Sequence, residues 1–289
     1  MKTYFVCSDI HGFYKEWMKS LKAARYDKEN IDHILIVLGD LFDRGQEPYK
    51  IYKFLRSIPE DRLILIKGNH ESLLLELVKR KQPFSDDYSN GTYGTLISLY
   101  KDPRIVEWEY IRKHAGEDRH DLLIKANGIF RKANDKLYNN KKLNEIIEWI
   151  NSPIWKDYYE LGRYIFVHSF IPLLSYGNNI KMMKYDPDWR TSSTEMMWEN
   201  ARWGCPYEYY LEGYFDEELK KGKILVCGHW HTSDFYNKLL YKNNPEKQLN
   251  IKTDNPIFKS DKYPGLIGID ACTALTKTVN ILVIKEDEI

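Results

Sequence analysis

The sequence predicts an α/β protein, and two periodic patterns carry this prediction. Five short apolar runs rich in Val, Ile, Leu and aromatic residues predict β-strands: TYFVCSD, ILIVLGD, LILIKGN, YIFVHS and ILVCGH. Between the first three runs, apolar residues recur at intervals of three and four, which is the period of an amphipathic helix. Strands that alternate with helices are typical of a sheet covered by helices.

The elements can be placed in order along the chain. YKEWMKSLKAARY and EPYKIYKFLRSI predict helices after the first and second strands, and GNHESLLLELVKR predicts the start of a third. Residues 84–150 are polar, aromatic and largely helical in pattern, as in LNEIIEWI, and predict a helical elaboration of the same domain because no Gly/Ser-rich or Pro-rich linker precedes them. The closing runs LIGIDA and VNILVIK predict a terminal hairpin.

Composition and charge limit the possible partners. The 289 residues are 43% hydrophobic, which is enough to bury a sizeable core. The formal net charge is +1, so no global field attracts nucleic acid or an anionic membrane. The 22 tyrosines and 8 tryptophans are dispersed, which favours packing over base stacking. Nucleic-acid binding is therefore a minor hypothesis.

The N-terminus and the cysteines predict a cellular compartment. MKTYFVCSDIHG leads straight into a strand-like segment rather than a signal peptide, and no stretch approaches the ~18 apolar residues needed to cross a bilayer. Cys7, Cys205, Cys227 and Cys272 have no paired zinc spacing. We therefore expect a soluble cytoplasmic protein with free thiols and no membrane partner.

Polar side chains follow each apolar run, and the carboxyl ends of strands in an α/β sheet meet in one cleft. The residues at these positions are Asp9, His11, Asp40, Asn69, His70, His168, His229 and His231. Carboxylate, imidazole and amide oxygen form the ligand set of hydrolytic two-metal centres for Mn, Fe or Zn. Taken singly, each fragment also has a structural explanation, such as a helix cap for Asp9 or a hydrogen-bonded core position for His168.

In order, the motifs D-x-H, G-D-x-x-D-R-G, G-N-H-E, a His after a strand and a late G-H resemble the phosphoprotein phosphatase family of calcineurin-like metallophosphoesterases. This family includes Ser/Thr protein phosphatases and bacterial symmetrical diadenosine tetraphosphatases. NGTYGTLISLY, WINSPIWKDYYELGRYIFVHSFIP and MMWENARWG look like the segments that bacterial members place between the motifs. The resemblance implies a β-sandwich flanked by helices, in four αββα layers, formed by a single domain over residues 1–289. Insertions are expected at about 101–143 and 235–262.

The resemblance also implies a ligand set. Asp9, His11 and Asp40 would hold one metal, and Asp40, Asn69, His168 and His229 the other, so that Asp40 bridges them. His231, in GHWH, would complete the shell of the first metal, as in other metallophosphoesterases. Mn²⁺ is the expected ion, with Fe and Zn as alternatives. Two cations about 3.5 to 4 Å apart would acidify a bridging water, and the resulting hydroxide is the expected nucleophile.

Catalytic roles follow from the same resemblance. Asp43 would orient His70, which would protonate the leaving oxygen, and Arg44 would bind phosphate oxygens. A second phosphate-binding residue is expected at Arg202, with Arg163 and Arg190 as competitors. Asp270 and Thr273, in DACT where the family often has D-T-G, are expected to be structural.

The leading hypothesis is a Ser/Thr protein phosphatase that hydrolyses phosphomonoesters of a phosphorylated protein or a small phosphorylated substrate. Hydrolysis of diadenosine tetraphosphate or another nucleotide anhydride is the nearest alternative, because metal ligands do not specify the leaving group. A non-catalytic binding scaffold is a third. Such a scaffold should lack a ligand or the acid, whereas His70, Asp43 and Arg44 are all present.

Overall fold

Two β-sheets lie face to face in the computed structural model, which describes residues 1–100, 136–175 and 182–289. The strands of the first sheet are β1 (Thr3–Cys7), β2 (His33–Val37), β3 (Leu63–Ile66), β4 (Trp155–Lys156) and β11 (Leu282–Lys285). Their spatial order is β11-β1-β2-β3-β4. Strands β1 to β4 run parallel, and β11 pairs antiparallel with β1.

The second sheet is mixed in the same way. Its strands are β5 (Tyr158–Leu161), β6 (Tyr164–Val167), β9 (Ile224–His231) and β10 (Leu266–Asp270), in the order β10-β9-β6-β5. Only β5 runs antiparallel to its neighbour, β6. A separate antiparallel pair is formed by β7 (Leu173–Ser175) and β8 (Met183–Tyr185).

Alternation along the strands explains why the sheets stack. In β1, Tyr4 and Val6 face the second sheet, whereas Phe5 and Cys7 face the helices. Side chains of a strand alternate between its faces, so an uninterrupted apolar run fits a strand that is buried on both sides. Phe166 of β6 and Val226 of β9 meet Val6 in the core between the sheets.

Helices cover both outer faces. Those over the first sheet are α1 (Tyr14–Ala23), α2 (Pro48–Leu55), α3 (Asn69–Arg80), α4 (Ser85–Ser89), α5 (Thr92–Tyr100) and α6 (Lys141–Ile150). Those that follow β8 are α7 (Trp189–Ser192), α8 (Glu195–Arg202), α9 (Pro206–Leu211), α10 (Asp216–Lys220), α11 (Thr232–Phe235) and α12 (Thr273–Thr276). Trp189 and Phe235 anchor this second layer on the second sheet. No helix among the described residues is long and apolar enough to cross a membrane.

The architecture confirms the predicted α/β class and the four αββα layers. The predicted terminal hairpin is wrong, because β10 pairs with β9 in the second sheet whereas β11 pairs with β1 in the first. An apolar run predicts a strand, but it does not show which distant strand will pair with it. Most of the first predicted insertion, residues 101–135, lies outside the described residues, and the second contributes Phe258, which is buried against β10. The single-domain organisation stays a prediction.

Candidate metal centre

A cleft of about 230 Å³ opens at the carboxyl ends of the central strands. Predicted site residues that line it are Asp9, His11, Asp40, Arg44, Asn69, His70, His229 and His231. His168 and Asp43 are buried behind them. The loops that follow β1, β2, β3 and β6, together with the end of β9, therefore bring together residues that lie far apart in the chain.

Sharp backbone turns aim these side chains into the cleft. The non-glycine residues with a left-handed φ of 48° to 71° include Asp9, His11, Asp40, Asp43, Arg44 and His229. This conformation is unfavourable for side chains with a Cβ and persists where surrounding contacts hold it. Gly45 permits a close approach of the first two loops, because a Cβ there would lie 2.4 Å from the carbonyl carbon of Gly12.

The first potential ligand group contains His11 and two carboxylates. The Nδ1–H of His11 donates to the carbonyl oxygen of Phe42 at 2.9 Å, so Nε2 carries the lone pair. This nitrogen lies 3.8 Å from Asp9 Oδ1 and 3.8 Å from Asp40 Oδ2. Burial, reinforced by the nearby charge of Arg44, lowers the pKa of His11 well below its ordinary value. His11 is therefore a neutral imidazole, which is the form that binds metal ions.

The second group surrounds His168. Its Nδ1–H donates to Leu38 O at 2.6 Å, and its Nε2 faces Asn69 Oδ1 at 2.8 Å and His229 Nδ1 at 3.3 Å. Nε2 and the amide oxygen both present lone pairs, and these repel one another unless a cation lies between them. The donor set of this group therefore fits a metal ion.

Asp40 belongs to both groups. Its Oδ1 lies 3.5 Å from His168 Nε2 and its Oδ2 lies 3.8 Å from His11 Nε2, so each oxygen faces one group. Burial, together with the charge of Asp9, raises the pKa of Asp40 well above its ordinary value. A carboxylate in these surroundings is stabilised by a neighbouring cation. The residues present thus fit two metal ions that share Asp40.

Glu71, the last residue of GNHE, joins the loops that carry these ligands. Its buried carboxylate accepts hydrogen bonds at 2.9 Å from the backbone N–H groups of Asp40, Leu41 and Gly68. A carboxylate with several N–H donors is strongly held. The sequence analysis assigned no role to Glu71, although the carboxylate within the GNHE motif could have indicated one.

Asp43 and His70 form a buried pair beside the shared carboxylate. Asp43 Oδ2 lies 2.6 Å from His70 Nδ1, which leaves Nε2 directed toward the cleft. The hydroxyls of Thr92 and Thr95 each donate to Asp43 at 2.8 Å. Although burial opposes a charge on the imidazole, Asp40 and Asp43 raise the pKa of His70. The sequence had not singled out Thr92 or Thr95.

Arg44 brings the positive charge into the cleft. Its Nη1 lies 2.9 Å from His11 Nε2, and its Nη2 lies 3.3 Å from His70 Nε2. A metal ion at His11 Nε2 would take the lone pair that this guanidinium now contacts, and would leave the planar donors for an anion in the cleft.

Comparison with known proteins identifies the family. The family model of the calcineurin-like phosphoesterases matches residues 2–233. The chain belongs to this family. A symmetrical bis(5'-nucleosyl)-tetraphosphatase of Buchnera aphidicola subsp. Acyrthosiphon pisum (strain 5A) is 30% identical over 108 residues, which are 37% of each chain. Serine/threonine-protein phosphatase 1 of Salmonella typhimurium is 35% identical over 72 residues, 25% of this chain and 31% of that one.

These matches span well under half of either relative, so they do not carry the whole relatives' activities to this chain. The fold has a wider match. The cold-active protein-tyrosine phosphatase of a psychrophile Shewanella sp. aligns with 99% of this chain and 76% of its own, at 14% identity and a TM-score of 0.52. This likeness concerns the fold alone.

Arg202 is placed differently from the other expected members of this phosphoesterase site. Its side chain is 2% exposed, and it is ion-paired with Asp157, Glu195 and Glu199. It does not line the cleft, although its neighbour Trp203 does. Its expected part in phosphate binding stays a prediction, and the three carboxylates weigh against it.

His231 lies at the rim of the cleft, and its side chain is 29% exposed. Its Nδ1 lies 3.7 Å from Asp234 Oδ2, and its Nε2 lies 3.9 Å from Asp270 Oδ2. Its place in the shell of the first metal stays a prediction. Asp270, expected to be structural, accepts a hydrogen bond from the backbone N–H of Cys272 at 2.7 Å.

Proposed function

We propose that the protein is a metal-dependent phosphomonoesterase that acts on phosphoserine or phosphothreonine in proteins. The observation that supports it is the Asp43–His70 pair beside the shared carboxylate Asp40, with the guanidinium of Arg44 at the same cleft. A proton donor, a phosphate-binding group and two ligand groups within one cleft are the parts that phosphoester hydrolysis requires.

Each residue has a defined part in this proposal. Arg44 binds the phosphate oxygens through its parallel N–H donors, and this bond strengthens as negative charge develops. Asp43 fixes the His70 ring through Nδ1, so that Nε2 can deliver a proton to the leaving oxygen. Two metal ions, Mn²⁺ in our proposal and Fe or Zn as alternatives, would supply an activated water and neutralise phosphate charge.

The charge of the cleft supports a monoester over a polyphosphate. Within the described segments, Arg44 is the one arginine or lysine that lines the cleft. A phosphomonoester carries its charge on one phosphate, whereas a dinucleotide tetraphosphate extends charge to both sides of the cleaved bond. Diadenosine tetraphosphate remains the second candidate, because several relatives are named symmetrical bis(5'-nucleosyl)-tetraphosphatases.

The cysteines support the cytoplasmic location that we expect from the sequence. Cys7, Cys205, Cys227 and Cys272 are all buried and free. Burial raises the pKa of Cys205 to about 11 and that of Cys272 to about 11, so both stay protonated and unreactive near neutral pH. Buried free thiols suit a reducing compartment.

The test compares kcat/KM for a phosphothreonine peptide and for diadenosine tetraphosphate, using Mn²⁺-loaded protein. We expect the peptide to be preferred. His70→Asn should lower kcat by about a hundredfold or more, because the leaving oxygen loses its proton donor, while metal content measured by elemental analysis stays unchanged.

His33→Asn is the matched control, since His33 lies at the start of β2, where its Nδ1 accepts the backbone N–H of Asp27. It should retain the activity of the parent protein. Preference for the dinucleotide would move the proposal to nucleotide hydrolysis. Hydrolysis of neither substrate would favour a binding scaffold.

A further inference from the structure

A second groove, of about 420 Å³, lies next to the metal centre between the β7–β8 pair and helices α8 and α9. Its apolar lining is formed by Ile171, Leu173, Met183, Met197, Trp203 and Tyr209. None of the described residues that line this groove carries a charge. The role proposed above leaves this groove without a function.

Trp203 connects the groove with the metal centre. Its indole lines both cavities and is 45% exposed. Its Nε1 donates to Glu199 Oε1 at 3.2 Å, and its ring lies 5.9 Å from the ring of His229, measured between centroids. Trp203 is therefore a wall that the two cavities share.

We propose that this groove binds an apolar side chain beside the phosphorylated residue of a peptide substrate. The inference rests on the proposed function and names what the enzyme would recognise beyond the phosphate. An occupant must be joined to the phosphate-bearing residue and must suit an uncharged apolar lining. Apolar side chains of a peptide meet both conditions.

The character of the lining supports a peptide occupant. Met183 and Met197 stand on different walls of the groove, and methionine adapts its flexible side chain to partners of different shape.

A dinucleotide fits this region less well. It would bring further phosphate charge close to α8, where the carboxylates of Asp157, Glu195 and Glu199 outnumber the cations Arg202 and Lys67 by one. Glu199 also accepts a hydrogen bond from Ser72 Oγ at 2.8 Å. Additional negative charge beside this cluster would be repelled rather than bound.

The experiment compares two phosphothreonine peptides that differ only in the residues flanking the phosphothreonine, leucine in one and alanine in the other. We expect kcat/KM to favour the leucine peptide by about tenfold, the effect of burying one such side chain in part. Met197→Lys places a charge in the groove and should reduce this preference to about twofold.

Met196→Lys is the matched control on the same helix. Met196 is 75% exposed and does not line the groove, so this variant should keep the tenfold preference. Met183→Lys, on the opposite wall, supplies an independent test if Met197→Lys does not fold. The ratio between peptides is the readout, because a general loss of activity lowers both values together.

The outcomes separate the two proposals. Equal use of both peptides by the parent protein, or an unchanged ratio in both groove variants, would overturn the inference and leave the phosphatase proposal standing. Preference for diadenosine tetraphosphate that Met197→Lys removes would assign the groove to a nucleobase and overturn the peptide occupant. Failure to hydrolyse any phosphate ester would contradict the proposed function and this inference with it.

Discussion

The loop after β2 and the helical layer over the second sheet both supply arginines that the sequence offered as phosphate ligands, but these arginines have different partners. Arg44, in the loop, is exposed and contacts two imidazoles across the cleft. Arg202, on α8, is 2% exposed and is paired with three carboxylates. Arg190, on α7, binds Glu218 through two hydrogen bonds of 2.9 Å.

The difference teaches that an arginine near an active site need not be available to a ligand. A guanidinium whose donors already bind carboxylates gains little from an anion, because it would have to give up charge-assisted bonds. Only Arg44, among these three, presents its donors to the cleft. We therefore expect the carboxyl ends of the central strands of both sheets to provide the chemistry, and the helices over the second sheet to provide stability and substrate selection.

The substitution Arg44→Ala should have the largest effect, and it tests whether Arg44 serves the chemistry rather than the stability of the protein. We expect kcat/KM for a phosphothreonine peptide to fall about a hundredfold, because a donor to the transition-state charge is lost. The free energy of unfolding should change by less than about 0.5 kcal/mol, since Arg44 is exposed. Steady-state kinetics and urea denaturation measure the two quantities. A large loss of stability with unchanged kinetics would reverse the assignment.

Arg202→Met tests the opposite expectation. Removing the guanidinium leaves Asp157, Glu195 and Glu199 without their shared partner, so the free energy of unfolding should fall by about 2 kcal/mol. Partial exposure of the carboxylates keeps the loss below that of a fully buried pair. Urea denaturation checks this value. If kcat/KM falls as far as in Arg44→Ala while stability is kept, Arg202 is a phosphate ligand after all.

The variant Glu218→Gln tests the buried ion pairs of the second layer through the pH dependence of stability. Burial alone would raise the pKa of Glu218, but hydrogen bonds from Arg190, Tyr185 and Lys221 lower it below the ordinary value of 4.5. A lowered pKa contributes stability that is fully present above pH 4.5 and is lost as the pH falls through the lowered value.

We expect Glu218→Gln to lower the free energy of unfolding by about 1.5 kcal/mol at pH 7, because a charge-assisted pair is lost. The difference between the variant and the parent protein should shrink as the pH drops below 4.5. Urea denaturation at pH 7, 5 and 3 gives the comparison. A difference that is constant over this range would show that charge plays no part.

Thr95→Val is expected to have the smallest effect. Its hydroxyl donates to Asp43 Oδ1 and accepts from the backbone N–H of Asp43, so its removal loosens the residue that orients His70. We expect kcat to fall about fivefold, since ~1 kcal/mol of orientation is lost, with KM nearly unchanged. Thr95→Ser, which keeps the hydroxyl, should restore most of kcat. Equal losses in both variants would point to packing instead.

Much of the candidate metal centre could be predicted from the sequence, because each of its motifs is a short continuous stretch of the chain. Asp40, Asn69 and His168 each follow an apolar run directly, and a parallel sheet brings such positions to one edge. The pairing of Arg202 with Asp157 was not predictable, because these two residues lie 45 positions apart in the chain. The pairing of β11 with β1 was not predicted for the same reason. The periodicity of apolar residues indicates whether a segment is a helix or a strand, but not which distant strand it pairs with.

The hydrogen bond from the His229 backbone N–H to Asp9 Oδ2 joins residues 220 positions apart. During synthesis, Asp9 leaves the ribosome long before β9 does, so the nascent protein contains Asp9 before His229 and His231 have been made. Contacts of such long range also slow folding. Completion of the second ligand group should accordingly be one of the last events in maturation, because a chain stalled before β9 lacks His229.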